Sequence, residues 1–259
     1  MLSTSLTWGS KDPNMHLQFV GSGDAFGSGG RFNTCFHVVA GELNFLIDCG
    51  ASSLVAMKRL GIDRNAIDLI VLTHYHADHC GGVPFFILDA QFVAKRTRPL
   101  TIAGPPPIKE WFPRQMEAAF AGSAPSPKKF DVSLVELAPE RPWRFRNAEI
   151  RSVRVRHGLP PESYHGYRIT IDGKVLAFSG DTEWTDSLIE LGRDADLFVS
   201  EAYVYNQPVQ MHLAYRQLTE KLPLIRPKRL IITHMSEDML GRGDAIAHET
   251  AKDGLIVEI

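Results

Sequence analysis

Short apolar runs, separated by glycine, proline and aspartate, dominate the chain, and most of them have the length of strands rather than helices. The pattern predicts a first strand over residues 16–20, running into a glycine-rich loop from Gly21 to Gly30. Residues 35–39 and 43–47 read as a hairpin turning near Gly41. Ser52 and Ser53 can cap a helix that runs to Leu60 and stops at Gly61. Residues 67–72 read as a short strand, apolar but for Asp68, and Pro84 can open a helix that ends near Ala94. Prolines cut up residues 97–148, where only a helix over 109–121, closed by Gly122, is predicted. A strand over 150–155 follows, then a hairpin of 167–171 and 175–178 across the turn pair Asp172-Gly173. Helices over 186–191 and 213–221 alternate with strands over 197–199 and 229–232. No internal repeat is present at solenoid spacing, and the order suits layers of sheet and helix around one core.

A chain of 259 residues can bury such a core, and 44% hydrophobic against 22% charged residues is the balance of a soluble globular protein. A net charge of -2 gives no overall positive field to hold long nucleic acid. No apolar run approaches the roughly 18 residues needed to span a bilayer. Residues 1–14 lack a basic start followed by an apolar stretch; they are expected to form a loose polar extension before a single domain over 15–259. Three cysteines, Cys35, Cys49 and Cys80, are too few and too widely spaced for a disulfide framework. They are expected to pack in the core of a cytoplasmic protein, although a Cys80 thiolate beside a ligand could touch a metal.

The segment Thr73-His74-Tyr75-His76-Ala77-Asp78-His79 changes the picture. Imidazole nitrogens and carboxylate oxygens are natural zinc ligands. Burying so many polar groups without partners would cost several kcal/mol, so they cannot simply be core. Further candidates sit just past other apolar strands: His157, Asp181 after Ser179-Gly180, and His234 after Thr233. Each repeats one logic, in which a rigid strand carries a polar residue on the loop beyond it.

THYHADH resembles the T-H-x-H-x-D-H motif of the metallo-β-lactamase superfamily, and His157, Ser179-Gly180-Asp181 and Thr233-His234 match its later motifs in order. The resemblance runs from about residue 16 to the C-terminus. It implies an α/β fold, a four-layer αββα sandwich of two mixed sheets flanked by helices, with metals at one edge. It also implies two divalent ions, zinc first, with manganese or iron as alternatives. One ion would be held by His74, His76 and His157, the other by Asp78, His79 and His234, with Asp181 bridging them. Two cations roughly 3.5–4 Å apart can share a hydroxide and neutralise charge on the attacked centre. Asp78 therefore counts with the catalytic residues as well as the ligands. The iron-using oxidoreductase branch tends to carry Glu where Ala77 stands, which disfavours a redox role.

Ser200-Glu201-Ala202-Tyr203 resembles the H-E-A-T segment of the ribonuclease Z group, and His212 falls where that group has its extra histidine. The resemblance implies that Glu201 and His212 pair to protonate a leaving oxygen, which suits an alkoxide. In the opening loop, Arg31 and Asn33 are the candidate substrate contacts, Arg31 as a clamp on a phosphate oxygen. Only residues 158–180 separate His157 from Asp181, too few for the tRNA-binding arm those enzymes carry there. The expected function is hydrolysis of a small or nucleotide-like phosphodiester, without efficient tRNA binding and without a membrane. The alternative is hydrolysis of a lactone, thioester or other carboxyl derivative. The proline-rich stretch 99–127 is a candidate lid or homodimer interface.

Overall fold

The computed structural model describes residues 15–139, 141–159, 163–207 and 209–259. The extension expected over residues 1–14 lies outside them. The first sheet is built from β1 (Met15–Gly21), β2 (Cys35–Ala40), β3 (Leu43–Ile47), β4 (Leu69–Val71), β5 (Leu100–Gly104) and β6 (Val132–Glu136). The second holds β7 (Trp143–Phe145), β8 (Ala148–Arg154), β9 (His165–Ile171), β10 (Lys174–Phe178), β11 (Leu197–Glu201), β12 (Leu230–Thr233) and β13 (Glu249–Thr250). The last strand, β14 (Ile256–Glu258), returns to the first sheet beside β1. Both sheets are mixed. β1, β2 and β3 pair antiparallel, and β3 to β6 parallel; β7 to β10 pair antiparallel, and β10 to β13 parallel.

The two-residue period of each strand sorts its side chains between layers. In β4, Leu69 and Val71 face the second sheet, and Ile70 faces the helices. The inter-sheet core includes Phe19, Phe36, Ile47, Tyr167, Ile169, Phe178 and Val199. Phe36 is its bridge, meeting Phe19 edge-on at 5.0 Å and Phe178 of the other sheet at 4.8 Å. The helices α1 (Ser53–Arg59), α2 (Ala77–Cys80), α3 (Val83–Phe92) and α4 (Ile108–Ala119) all follow strands of the first sheet. Met57, Phe86, Ile87, Phe112 and Met116 seal its outer face. On the outer face of the second sheet lie α5 (Ser187–Gly192) and α6 (Tyr215–Ile225), through Leu188, Leu191, Leu218 and Ile225; the one-turn α7 (Glu237–Leu240) adds Met239. The result is the expected αββα sandwich.

The predicted strands and helices are found with ends moved by a few residues, most at α6, where Pro223 lies inside the helix and residues 222–225 continue it. The proline-rich stretch holds more order than its composition suggests. Pro99 immediately precedes β5, and Pro105, Pro106 and Pro107 fill the turn into α4. These prolines mark the ends of elements, not the absence of them. Cys35, Cys49 and Cys80 are free and buried in the core, as expected. No helix among the described residues is long and apolar enough to cross a membrane.

This topology assembles the site. β8, β10, β11 and β12 run in one direction, and so do β1, β3 and β4. Their C-terminal ends meet at one edge, where His234 N–H donates to Ser22 O (3.2 Å) and His165 N–H to Thr73 O (3.0 Å) across the two sheets.

Candidate metal centre

Beyond β4, the chain extends through Thr73, His74, Tyr75 and His76, then turns into the single-turn helix α2. Asp78 and His79 lie on that turn. The turn packs so close to the end of β3 that a Cβ on Gly82 would stand 2.3 Å from Gly50 O, and one on Gly50 2.1 Å from Asp78 O. Only glycine fits both places. His157 follows β8, Asp181 follows β10, and His234 follows β12 in the left-handed region, at φ 55. Gly180 (φ +60) lets the chain pass His165 O, which a Cβ would approach to 2.6 Å.

The structure brings all seven expected ligands together. The ring nitrogens of His74, His76 and His157 form one cluster within 4.8 Å, and those of His79 and His234 join carboxylate oxygens of Asp78 and Asp181 in a second. Asp181 stands between them, with carboxylate oxygens 3.2 Å from His79 Nε2, 3.2 Å from His234 Nε2 and 3.6 Å from His157 Nε2. Imidazole nitrogens face one another, His157 Nε2 to His76 Nδ1 at 3.1 Å and His79 Nε2 to His234 Nε2 at 3.4 Å. His74 Nε2 is buried without a hydrogen-bond partner among the described residues. Converging lone pairs and an orphaned buried nitrogen fit divalent cations better than any internal hydrogen-bond network. Burial pushes His74 well below the ordinary histidine range and His157 down to about 4, keeping both in the neutral, cation-binding form.

Outer contacts fix which nitrogen each ring presents. His79 Nδ1 lies 2.7 Å from Asp48 Oδ2, which turns Nε2 towards the second cluster. Asp48 also accepts from Thr73 N–H (2.7 Å) and Thr73 Oγ1 (2.9 Å), tying the ligand loop to the end of β3. His157 Nδ1–H donates to Met211 O at 2.7 Å, which turns its Nε2 to the first cluster. Sequence reasoning passed over Asp48, although it closes an apolar strand just as Asp181 does. Asp48→Asn should keep the fold and weaken cation affinity by about 10–100-fold, because the amide no longer polarises His79. Competition with a zinc chelator measures this.

Glu201 ends β11, fully buried, and accepts from Thr182 N–H through Oε1 and from Leu213 N–H (3.4 Å) through Oε2. His212 Nδ1 lies 3.1 Å from Glu201 Oε2. Burial opposes charge on His212, but the hydrogen bond and charge of Glu201 outweigh it and raise the imidazole to about 9. The pair adjoins the clusters: His212 also groups with His157 and Asp181, and with Glu201 and His234. Two aromatic rings complete the walls. Tyr164 packs against His74, His76 and His157 at 5.3–5.8 Å, and Tyr203 stacks on His212.

The other two expected contacts have partners inside the protein. Arg31 Nη1 donates to Ala251 O at 2.6 Å, beside Asp253, which accepts from Ser22 N–H and Phe32 N–H. Asn33 Nδ2 donates to Asp24 O (2.9 Å), and its Oδ1 accepts from Ser52 N–H (3.2 Å).

The chain is similar to known proteins along most of its length. It is 25% identical to the ribonuclease Z of Exiguobacterium sp. over 92% of this chain and 94% of that one. It is 35% identical to the ribonuclease Z of Agathobacter rectalis over 54% of this chain, spanning less than half, 44%, of that relative. Among solved structures, the metallo-beta-lactamase fold protein YhfI from Bacillus subtilis superposes with TM-score 0.78 at 20% identity, covering 95% of this chain and 100% of that one. A diphosphatase from the PhnP family gives TM-score 0.74 at 22% identity over 95% and 98% of the two chains. The chain thus has the metallo-β-lactamase fold and is similar in sequence to ribonuclease Z, and since the model of the family described as Anti-Pycsar protein Apyc1 matches residues 15–256, it belongs to that family.

Proposed function

We propose that the protein hydrolyses a small or nucleotide-like phosphodiester, using divalent cations held by His74, His76 and His157 and by Asp78, His79 and His234, with Asp181 shared. The observation that carries this reading is the Glu201–His212 pair set against those ligands. Zinc suits a set of imidazoles and carboxylates. When bound, the cations would activate water and offset charge on the phosphoryl oxygens. The protein's own groups do the rest. Glu201, anchored by Thr182 N–H and Leu213 N–H, orients the His212 ring through Nδ1 and favours its charge. His212 then holds a proton on Nε2 for the departing alkoxide, a poor leaving group without one. Asp48 and Met211 O keep His79 and His157 in their ligand tautomers. Arg31 and Asn33 help hold the loop of Ser22 and Asp24, and they remain the proposed substrate contacts of that loop.

The relatives' names agree in part: one group consists of ribonucleases, and the PhnP-family neighbour is a diphosphatase. For this chain, precursor tRNA is not the expected substrate. The strands β9 and β10 occupy most of the stretch between His157 and Asp181, where an arm would have to emerge. Assays of the zinc- or manganese-loaded protein on a nitrophenyl phosphodiester, a nitrophenyl carboxyl ester, a lactone and precursor tRNA test the reading. The diester should lead the ester and lactone by at least about 10²-fold in kcat/KM, the scale of one catalytic contact. A leading ester or lactone, or clean 3′ cleavage of precursor tRNA at nanomolar enzyme, would overturn it.

A further inference from the structure

We propose that Tyr203 is a positioning residue for His212, its ring fixing the plane of the imidazole from which the leaving group takes its proton. This rests on the reading of His212 as that acid. A histidine held only through Nδ1 can rock about its hydrogen bond, because its outer torsion is broad. Glu201 supplies that one edge contact. The face contact comes from Tyr203, whose ring lies 4.6 Å from the imidazole at an interplanar angle of 26°. His157 meets the imidazole edge-on at 4.7 Å, and His234 lies nearly parallel at 5.6 Å. The imidazole is thus held at its Glu201 edge and over one face, which sets the direction of Nε2–H. A charged imidazolium also gains from the electron-rich face of a phenol ring.

Two observations separate this from ordinary packing. Tyr203 is only half-buried, so its ring stands at the margin of the site rather than in the core. Its backbone is pinned without help from the ring: Tyr203 N–H donates to Leu213 O (2.9 Å), and Tyr203 O accepts from Ser236 N–H (3.0 Å) and Ser236 Oγ. Truncating the ring should therefore remove the stack and leave the loop in place. The position is also one of two, with Ser200, at which this chain departs from the H-E-A-T segment it resembles, and a threonine there would offer no ring face.

The test uses the metal-loaded enzyme with Tyr203→Leu and Tyr203→Phe, on an alkyl-leaving and a nitrophenyl-leaving diester, with His212→Ala alongside. Tyr203→Leu keeps apolar volume without a π face. It should lower kcat on the alkyl diester by about 3–10-fold, with KM and the nitrophenyl rate within about twofold. Tyr203→Phe should restore the alkyl rate to within about twofold. In the proton NMR spectrum, the His212 ring protons should lose their ring-current shift in the Leu variant and keep it in the Phe variant. If Leu lowers the melting temperature appreciably, Tyr203→Thr takes its place. Equal losses on both diesters, failure of Phe to rescue, or an unmoved His212 resonance in the Leu variant would overturn the proposal. If His212→Ala is selective for the alkyl diester and Tyr203→Leu is not, the positioning role alone falls. If His212→Ala itself is unselective, the acid reading falls and this inference with it.

Discussion

Asp181→Ala is expected to cost at least about 10³-fold in kcat on any diester and to lower the bound metal from about two ions per chain. The reason is position. Asp181 is 2% exposed, and its two oxygens reach ring nitrogens from both clusters. Burial pushes its carboxyl up, but the charges of His234 and His79 outweigh burial and hold it well below the usual carboxylate range. Removing the side chain leaves Asp78 as the one carboxylate in the two clusters to offset cation charge. Neighbouring Gly180 adds a second reason. A left-handed turn that excludes any Cβ delivers the carboxylate to one place only, so no nearby acid can replace it. Elemental analysis and single-turnover kinetics on the variant check both parts. Full metal content with only a mild rate loss would show that the two clusters do not depend on a shared carboxylate.

His212→Ala should slow an alkyl or ribose diester by roughly 10²–10⁴-fold, the range for general acid catalysis, and slow a nitrophenyl diester much less. A nitrophenolate leaves with little help, because its conjugate acid is a far stronger acid than an alcohol. Metal content should not change. Although His212 approaches His157 and Asp181, its Nδ1 is committed to Glu201, and the two clusters are complete without it. Glu201→Gln should show the same selectivity more mildly on the alkyl substrate, since the amide can still orient the ring but cannot favour its charge. Kinetics on both substrates, with metal measured in parallel, decide the point. If His212→Ala strips metal, His212 is a ligand; if it slows both diesters equally, it is a substrate contact or a packing residue.

The sequence showed the ligands because they obey a local rule. Each follows an apolar strand, and four of them crowd into residues 74–79, where no core could tolerate them unpartnered. Inner strands were legible for the same reason, since β4, β11 and β12 are buried on both faces and each opens on an apolar run of three residues. The edges of the sheets were not. β6 and β7 alternate weakly, stay partly exposed and lie among prolines, so the composition of their surroundings hid them. β14 is three residues long and gains its place by pairing with β1 at the far end of the chain. No local pattern carries that information. The supporting shell was harder still. Met211 contributes a backbone carbonyl from a left-handed position, φ 68, and a carbonyl has no signature in sequence. Arg31 is a further case: its type suggested a phosphate clamp, and its contacts with Ala251 O and the neighbouring Asp253, both distant in sequence, left no local signature.

All of these readings depend on cations seated among His74, His76, Asp78, His79, His157, Asp181 and His234. The direct test is the metal content of protein purified without chelator, measured by elemental analysis before and after incubation with zinc, manganese or iron. About two ions per chain are expected, as purified or after reconstitution; a content near zero that no added metal restores would contradict the account at its base.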